Sequence, residues 1–86
     1  MFSTVEEALD WLSDVFEEPP GRITPNMVKK EDILGWDSLG TLTLMARLDA
    51  ELGILLSDDE LQKLRIVNDI LNVMRHHGKL NQHGGK

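Results

Sequence analysis

Gly35-Trp36-Asp37-Ser38-Leu39 places a turn former, a large aromatic and two adjacent helix-capping residues directly ahead of an apolar segment. Asp and Ser are favoured at a helix start because their side-chain oxygens satisfy N–H groups of the first turn that have no partner within the helix. Downstream, Leu39, Leu42, Met45, Leu48 and Leu52 recur at helical spacing and predict one apolar face, which Leu44 and Ala46 widen. Gly53 is the expected stop, since glycine adopts the left-handed conformation that closes many helices.

Working outward, the residues before the pentapeptide predict a long connection from 19 to about 36, broken by Pro19, Pro20, Gly21 and Pro25. Connections of this length inside a small domain are uncommon and often functional. Ile23, Met27, Val28, Ile33 and Leu34 are its expected apolar anchors, with a turn of helix over 28–32. Ahead of it, Ser3-Thr4-Val5-Glu6-Glu7 offers two overlapping capping boxes, Ser3 with Glu6 and Thr4 with Glu7. Val5, Ala8, Leu9, Leu12 and Phe16 then mark a first helix.

After Gly53 the chain crosses back through residues 54–56. Ser57-Asp58-Asp59-Glu60 is a further capping box and predicts a short helix to about Leu64. Val67, Ile70, Leu71 and Met74 mark a last helix from about Val67 to His76, ended by Gly78. With no repeat and no strand pair, the expected fold is an all-α four-helix bundle, with three main helices, a short third helix and a long first loop. Its boundaries are 1–78, followed by a loose polar tail, 79–86.

The chain has 86 residues, 41% of them apolar and 28% charged, which suits one small domain with one core. Net charge is −6: residues 1–60 hold 4 Lys/Arg against 14 Asp/Glu, and residues 61–86 hold 5 against 1. That acidity argues against nucleic acid or an anionic membrane as partner and suits a partner with a basic face. There is no cysteine, hence no disulfide and no thiolate metal site, consistent with a cytoplasmic setting. Apolar runs fall well short of the roughly 20 residues that span a bilayer. The N-terminus lacks the basic region of a secretory signal.

Catalytic parts are scarce. His76, His77 and His83 gather at or beyond the last helix without carboxylate or thiolate co-ligands, so no metal site is expected. The pairs Glu6/Glu7 and Asp58/Asp59 are explained by helix starts, Glu17/Glu18 sits at a helix end, and no catalysis is assigned to any of them. Trp11 is expected to be partly buried, and Trp36 to brace the turn before Asp37. Ser38 stands apart. It follows the long loop and opens the most apolar helix, where an attached phosphodiester would meet free N–H groups and the positive end of the helix dipole. No base lies near in sequence to activate it as a nucleophile, so it reads as an attachment point.

Over nearly its whole length the chain resembles an acyl carrier protein. Gly35-Trp36-Asp37-Ser38-Leu39 resembles the phosphopantetheine attachment motif, and Ser3-Thr4-Val5-Glu6-Glu7 the start of the first helix. Residues 48–54, 56–60 and 67–70 resemble the second helix's end and the openings of the third and fourth helices, in ungapped register from Ser38 to Leu71. The resemblance implies a 4′-phosphopantetheine arm transferred from coenzyme A to Ser38 by a phosphopantetheinyl transferase. Acyl groups would be held on its thiol as thioesters and passed between acyl-loading and acyl-accepting enzymes in fatty-acid or polyketide synthesis. The carrier itself is not an enzyme, and the expectation is a cytoplasmic monomer without membrane insertion. By register, Asp37, Leu39, Thr43, Ala46, Arg47, Asp58 and Glu60 would face partners.

The pattern departs from fatty-acid carriers at Gly40 and Thr43, where acids are usual, and at Arg47, which adds a positive charge. It departs again at Lys29-Lys30 and at Arg65-Ile66, which stands where a Thr cap is common. These departures imply a specialised carrier with dedicated partners. Leu42, Met45, Leu48, Ile54, Leu61, Leu64, Val67 and Ile70 would form the interior, as a cleft for an acyl chain or as ordinary core. Two other readings stay open: a peptidyl or aryl carrier of nonribosomal synthesis, and a helical adaptor that binds through residues 39–52 and bears no arm.

Overall fold

Thr4 opens the first helix with a reciprocal cap. Its hydroxyl accepts from the Glu7 N–H at 3.2 Å, while Glu7 Oε1 accepts from the N–H groups of Thr4 and Ser3 at 3.1 and 2.7 Å. Of the two overlapping boxes, the Thr4/Glu7 pair forms. In the computed structural model, which describes residues 2–19, 21–24 and 33–80, four helices follow in order. They are α1 (Val5–Val15), α2 (Ser38–Leu52), α3 (Asp58–Gln62) and α4 (Val67–His76), so the fold is all-α with a short third helix. None of them is long and apolar enough to cross a membrane.

Each helix ends for a local reason. After α1 the Glu17 N–H reaches Asp14 O and the Glu18 N–H reaches Ser13 O, the paired bonds of a Schellman closure. Glu17 holds the left-handed position, φ 56°, that usually takes glycine. Gly53 closes α2 at φ 67° and Gly78 follows α4 at φ 72°. Ser57 and Glu60 form the α3 capping box, and α3 ends at Gln62, short of the expected Leu64. The absent Thr cap of α4 is replaced from inside the helix: Asp69 Oδ2 accepts from the N–H groups of Arg65 and Ile66 at 3.0 and 3.2 Å.

The core gathers Ala8, Leu12 and Val15 of α1, Phe16 just after it, and Val67, Ile70, Leu71 and Met74 of α4 with the buried residues of α2. Here the structure corrects the expected face. The buried ridge of α2 is Gly40, Leu44, Leu48 and Leu52, whereas Leu39 is 71% and Leu42 58% exposed and Met45 is half-buried. Gly40 decides this. A Cβ there would stand 1.8 Å from the Gly35 carbonyl oxygen, and a Cβ on Gly35 would stand 1.8 Å from that of Phe16. The end of α1, the residue-35 turn and the start of α2 therefore touch backbone to backbone. That contact rotates the ridge in line with Gly40 inward, and Leu42, about 200° further round the helix, faces out.

Trp36 braces the turn, as expected: it is 3% exposed and stacks on Phe16 with ring centroids 5.2 Å apart. Ile23 and Ile33 are buried loop anchors, but Leu34, expected to be one as well, is 84% exposed. Met27, Val28 and the expected turn over 28–32 lie outside the described residues. The tail also begins later than expected. The Phe2 N–H donates to Lys79 O at 2.8 Å and Leu80 is buried, so residues 79 and 80 close the core against the N-terminus. Residues 81–86 lie outside the described residues.

Candidate functional site

Asp37 is the cap of α2 and Ser38 its first residue. Asp37 Oδ1 accepts from the Gly40 N–H at 2.8 Å, and Thr41 bonds back to Asp37 O at 2.8 Å. The capping duty therefore falls on Asp37 and leaves the Ser38 hydroxyl exposed, with no hydrogen bond to it among the described residues. The N–H groups of Ser38 and Leu39 are the helix's remaining first-turn donors, and with the helix dipole they favour a negative group on that hydroxyl. A phosphodiester-linked group fits here: the oxygen is accessible and not needed for capping.

An open cleft of about 410 Å³ lies between the end of α1 and the start of α2, and Ser38 is not among its lining residues. Asp37 and Leu39 line it together with Phe16, Glu17, Glu18, Gly35 and Thr43. Glu18 is the unforeseen member. Only 8% of its side chain is exposed; its Oε1 pairs with Arg22 Nε at 3.2 Å and its Oε2 accepts from the Gly35 N–H at 3.4 Å. Sequence reading treated Glu18 as a helix-end acid, and no local signal shows that it reaches the residue-35 turn.

The residues assigned to partners by resemblance sit in different surroundings. Asp37, Leu39, Ala46 and Asp58 are exposed. Thr43 is half-buried, and its hydroxyl donates to Leu39 O at 3.0 Å. Arg47 is tied across the helices: it donates to Asp14 at 2.7 Å and to Glu51 at 2.6 Å, and its guanidinium lies 5.3 Å from the Trp11 ring centroid. Trp11 Nε1 donates to the same Glu51 at 2.9 Å. The bond to Glu51 foremost raises the Arg47 pKa, and the bonds from Arg47 and then Trp11 hold Glu51 below the usual carboxylate range. Glu60 is the α3 capping partner of Ser57, and the Ser57 N–H is the first cause that lowers its pKa. His77 Nε2 stands 4.0 Å from Glu60 Oε2.

Of the expected interior, Leu48, Ile54, Leu64, Val67 and Ile70 are buried, Leu61 and Met45 are half-buried, and Leu42 lies outside. Leu42, Met45, Ile54 and Leu55 instead line a shallow groove of about 160 Å³ on the other side of α2. Among the described residues no base engages Ser38, and no group of three His, Cys, Asp or Glu is placed to hold a metal.

A curated relative named acyl carrier protein, from Thermosynechococcus vestitus, is 31% identical over 65 residues, covering 76% of this chain and 79% of the relative. No protein-family model matches the chain. No solved structure matches it.

Proposed function

The chain belongs to the acyl carrier protein family, and on that premise we propose that Ser38 is the attachment point for a 4′-phosphopantetheine arm and that the protein carries acyl groups between enzymes without transforming them. The observation that supports this most is the division of labour at the start of α2: Asp37 caps the helix and Ser38 is exposed, with no hydrogen-bond partner for its hydroxyl among the described residues. The arm, donated by coenzyme A through a phosphopantetheinyl transferase, supplies a thiol on which acyl groups are held as thioesters. The chain's own part is to hold that attachment point at a rigid helix end and to present a surface to acyl-loading and acyl-accepting enzymes. Asp37, Leu39, Ala46 and Asp58 are the exposed candidates for that surface.

The reading extends to a specialised carrier. Gly40 is a packing residue, Arg47 is neutralised by Asp14 and Glu51, and the outward side of α2 presents Leu39, Leu42 and Ala46. Positions 40 and 43, where acids are usual in fatty-acid carriers, hold a buried glycine and a half-buried threonine, which suits dedicated enzymes. Free exchange with a general fatty-acid carrier in chain-elongation assays would contradict this part. The attachment itself is tested by incubating the protein with coenzyme A and a broad-specificity transferase. Intact mass should rise by one phosphopantetheinyl group in the wild type and stay unchanged in Ser38→Ala; an unchanged wild type overturns the proposal.

A further inference from the structure

We infer that the cleft between the end of α1 and the start of α2 is a docking site in which a partner enzyme seats an arginine side chain flanked by apolar residues. This deepens the carrier reading and rests on it, because an enzyme acting at Ser38 must come to this end of α2. The walls of the cleft set the charge of the occupant. Among the described residues that line it are three carboxylates, Glu17, Glu18 and Asp37, and no lysine, arginine or histidine. Glu18 is already paired with Arg22 at 3.2 Å, whereas Glu17 and Asp37 meet no cation among the described residues. Asp37 Oδ1 accepts from the Gly40 N–H, and a carboxylate has about four acceptor sites, so most of its capacity is left. Such a cleft repels a phosphodiester and attracts a cation.

The rim narrows the kind of cation. Leu34 and Leu39 line the same cleft and are 84% and 71% exposed. A metal ion would leave both leucines in water, and among the described residues no group of three His, Cys, Asp or Glu is placed to hold one. Arginine meets both demands: its methylene stem covers apolar surface while its guanidinium makes paired hydrogen bonds to a carboxylate. Apolar neighbours of that arginine would cover the leucines. The site also needs little ordering when it binds. Gly40 sits against the Gly35 carbonyl and Gly35 against that of Phe16, so backbone contacts hold the two walls at fixed separation. It is distinct from the shallow groove at Leu42 and Leu55.

The probe is a capped tripeptide, Leu-Arg-Leu, titrated into nitrogen-15-labelled protein. Leu-citrulline-Leu serves as the uncharged isostere, and Gly-Arg-Gly lacks the apolar flanks. Leu-Arg-Leu should give saturable shifts at the amides of Glu18, Gly35, Leu39 and Thr43, and both other peptides should bind more weakly. Glu17→Gln should weaken Leu-Arg-Leu about two- to fivefold, the range of an exposed ion pair, while Glu6→Gln, at the far end of α1, should leave it unchanged. Equal binding of the citrulline peptide, unchanged affinity in Glu17→Gln, shifts gathered at Leu42, Met45 and Leu55, or no saturable shift each overturns the docking site. The titration does not involve Ser38, so its failure leaves the attachment intact. An unmodified Ser38 in the intact-mass assay removes the carrier reading and leaves the cleft's preference for arginine standing.

Discussion

Gly40 packs against the carbonyl oxygen of Gly35 so closely that a Cβ on Gly40 would stand 1.8 Å from it. In an open helix, Gly→Ala gains about 1 kcal/mol from propensity. Here the added carbon meets backbone, which cannot swing aside as a side-chain tip does. Gly40→Ala should therefore destabilise by about 1–3 kcal/mol, the usual cost of overpacking, read as a lower urea midpoint. A gain in stability would show that α2 can part from the residue-35 turn without penalty.

The corrected face of α2 makes a paired prediction. Leu48 is fully buried, and Leu48→Ala should cost about 2–5 kcal/mol. Leu42 is largely exposed, and Leu42→Ala should stay within about 0.5 kcal/mol of wild type. Equal losses at the two positions in denaturant titrations would return Leu42 to the core.

Much of this architecture was legible in the residues. The span of α4 follows from Val67, Ile70, Leu71 and Met74 with Gly78 behind them, because the polar residues between leave one possible inward stripe. The caps are local patterns: Ser57 was readable outright, while the residues alone left Thr4 level with Ser3 and Asp37 level with Ser38. The face of α2 was not readable. Its apolar side chains occur nearly all round the helix, so periodicity could not choose among stripes, and the choice was made by a backbone contact between Gly40, Gly35 and Phe16. The bond from the Gly35 N–H to Glu18 spans 17 residues, and no local pattern signals it. Likewise Arg47 looked like a surface charge because Asp14, its partner, lies 33 residues earlier.

Asp37 and Ser38 should separate under mutation. Asp37→Ala removes the cap and should cost about 1 kcal/mol, whereas Ser38→Ala should leave the melting midpoint nearly unchanged. A large loss in Ser38→Ala would mean that its hydroxyl is structural.

Glu17 occupies a left-handed position, φ 56°, where a side chain costs roughly 1–2 kcal/mol. Glu17→Gly should recover about 1 kcal/mol in a thermal or urea melt, even though glycine has more freedom to lose on folding. A net loss would show that the Glu17 side chain contributes contacts that outweigh its backbone strain.

Glu51 gives a pH signature. Its pKa is lower in the folded protein because Arg47 and Trp11 hydrogen-bond its carboxylate. The unfolded chain thus takes up the proton first as pH falls. The stabilisation is complete above the unfolded carboxylate pKa and is lost as pH drops through the folded one. Arg47→Met should flatten that acid limb in stability measured from neutral pH downward. An unchanged limb would assign the acid sensitivity to other carboxylates.

The most direct measurement is fragmentation mass spectrometry of the protein after modification with coenzyme A and the transferase. The account predicts a single phosphopantetheinyl group on Ser38 and on no other side chain. An unmodified Ser38, or the group found on another residue, would contradict it.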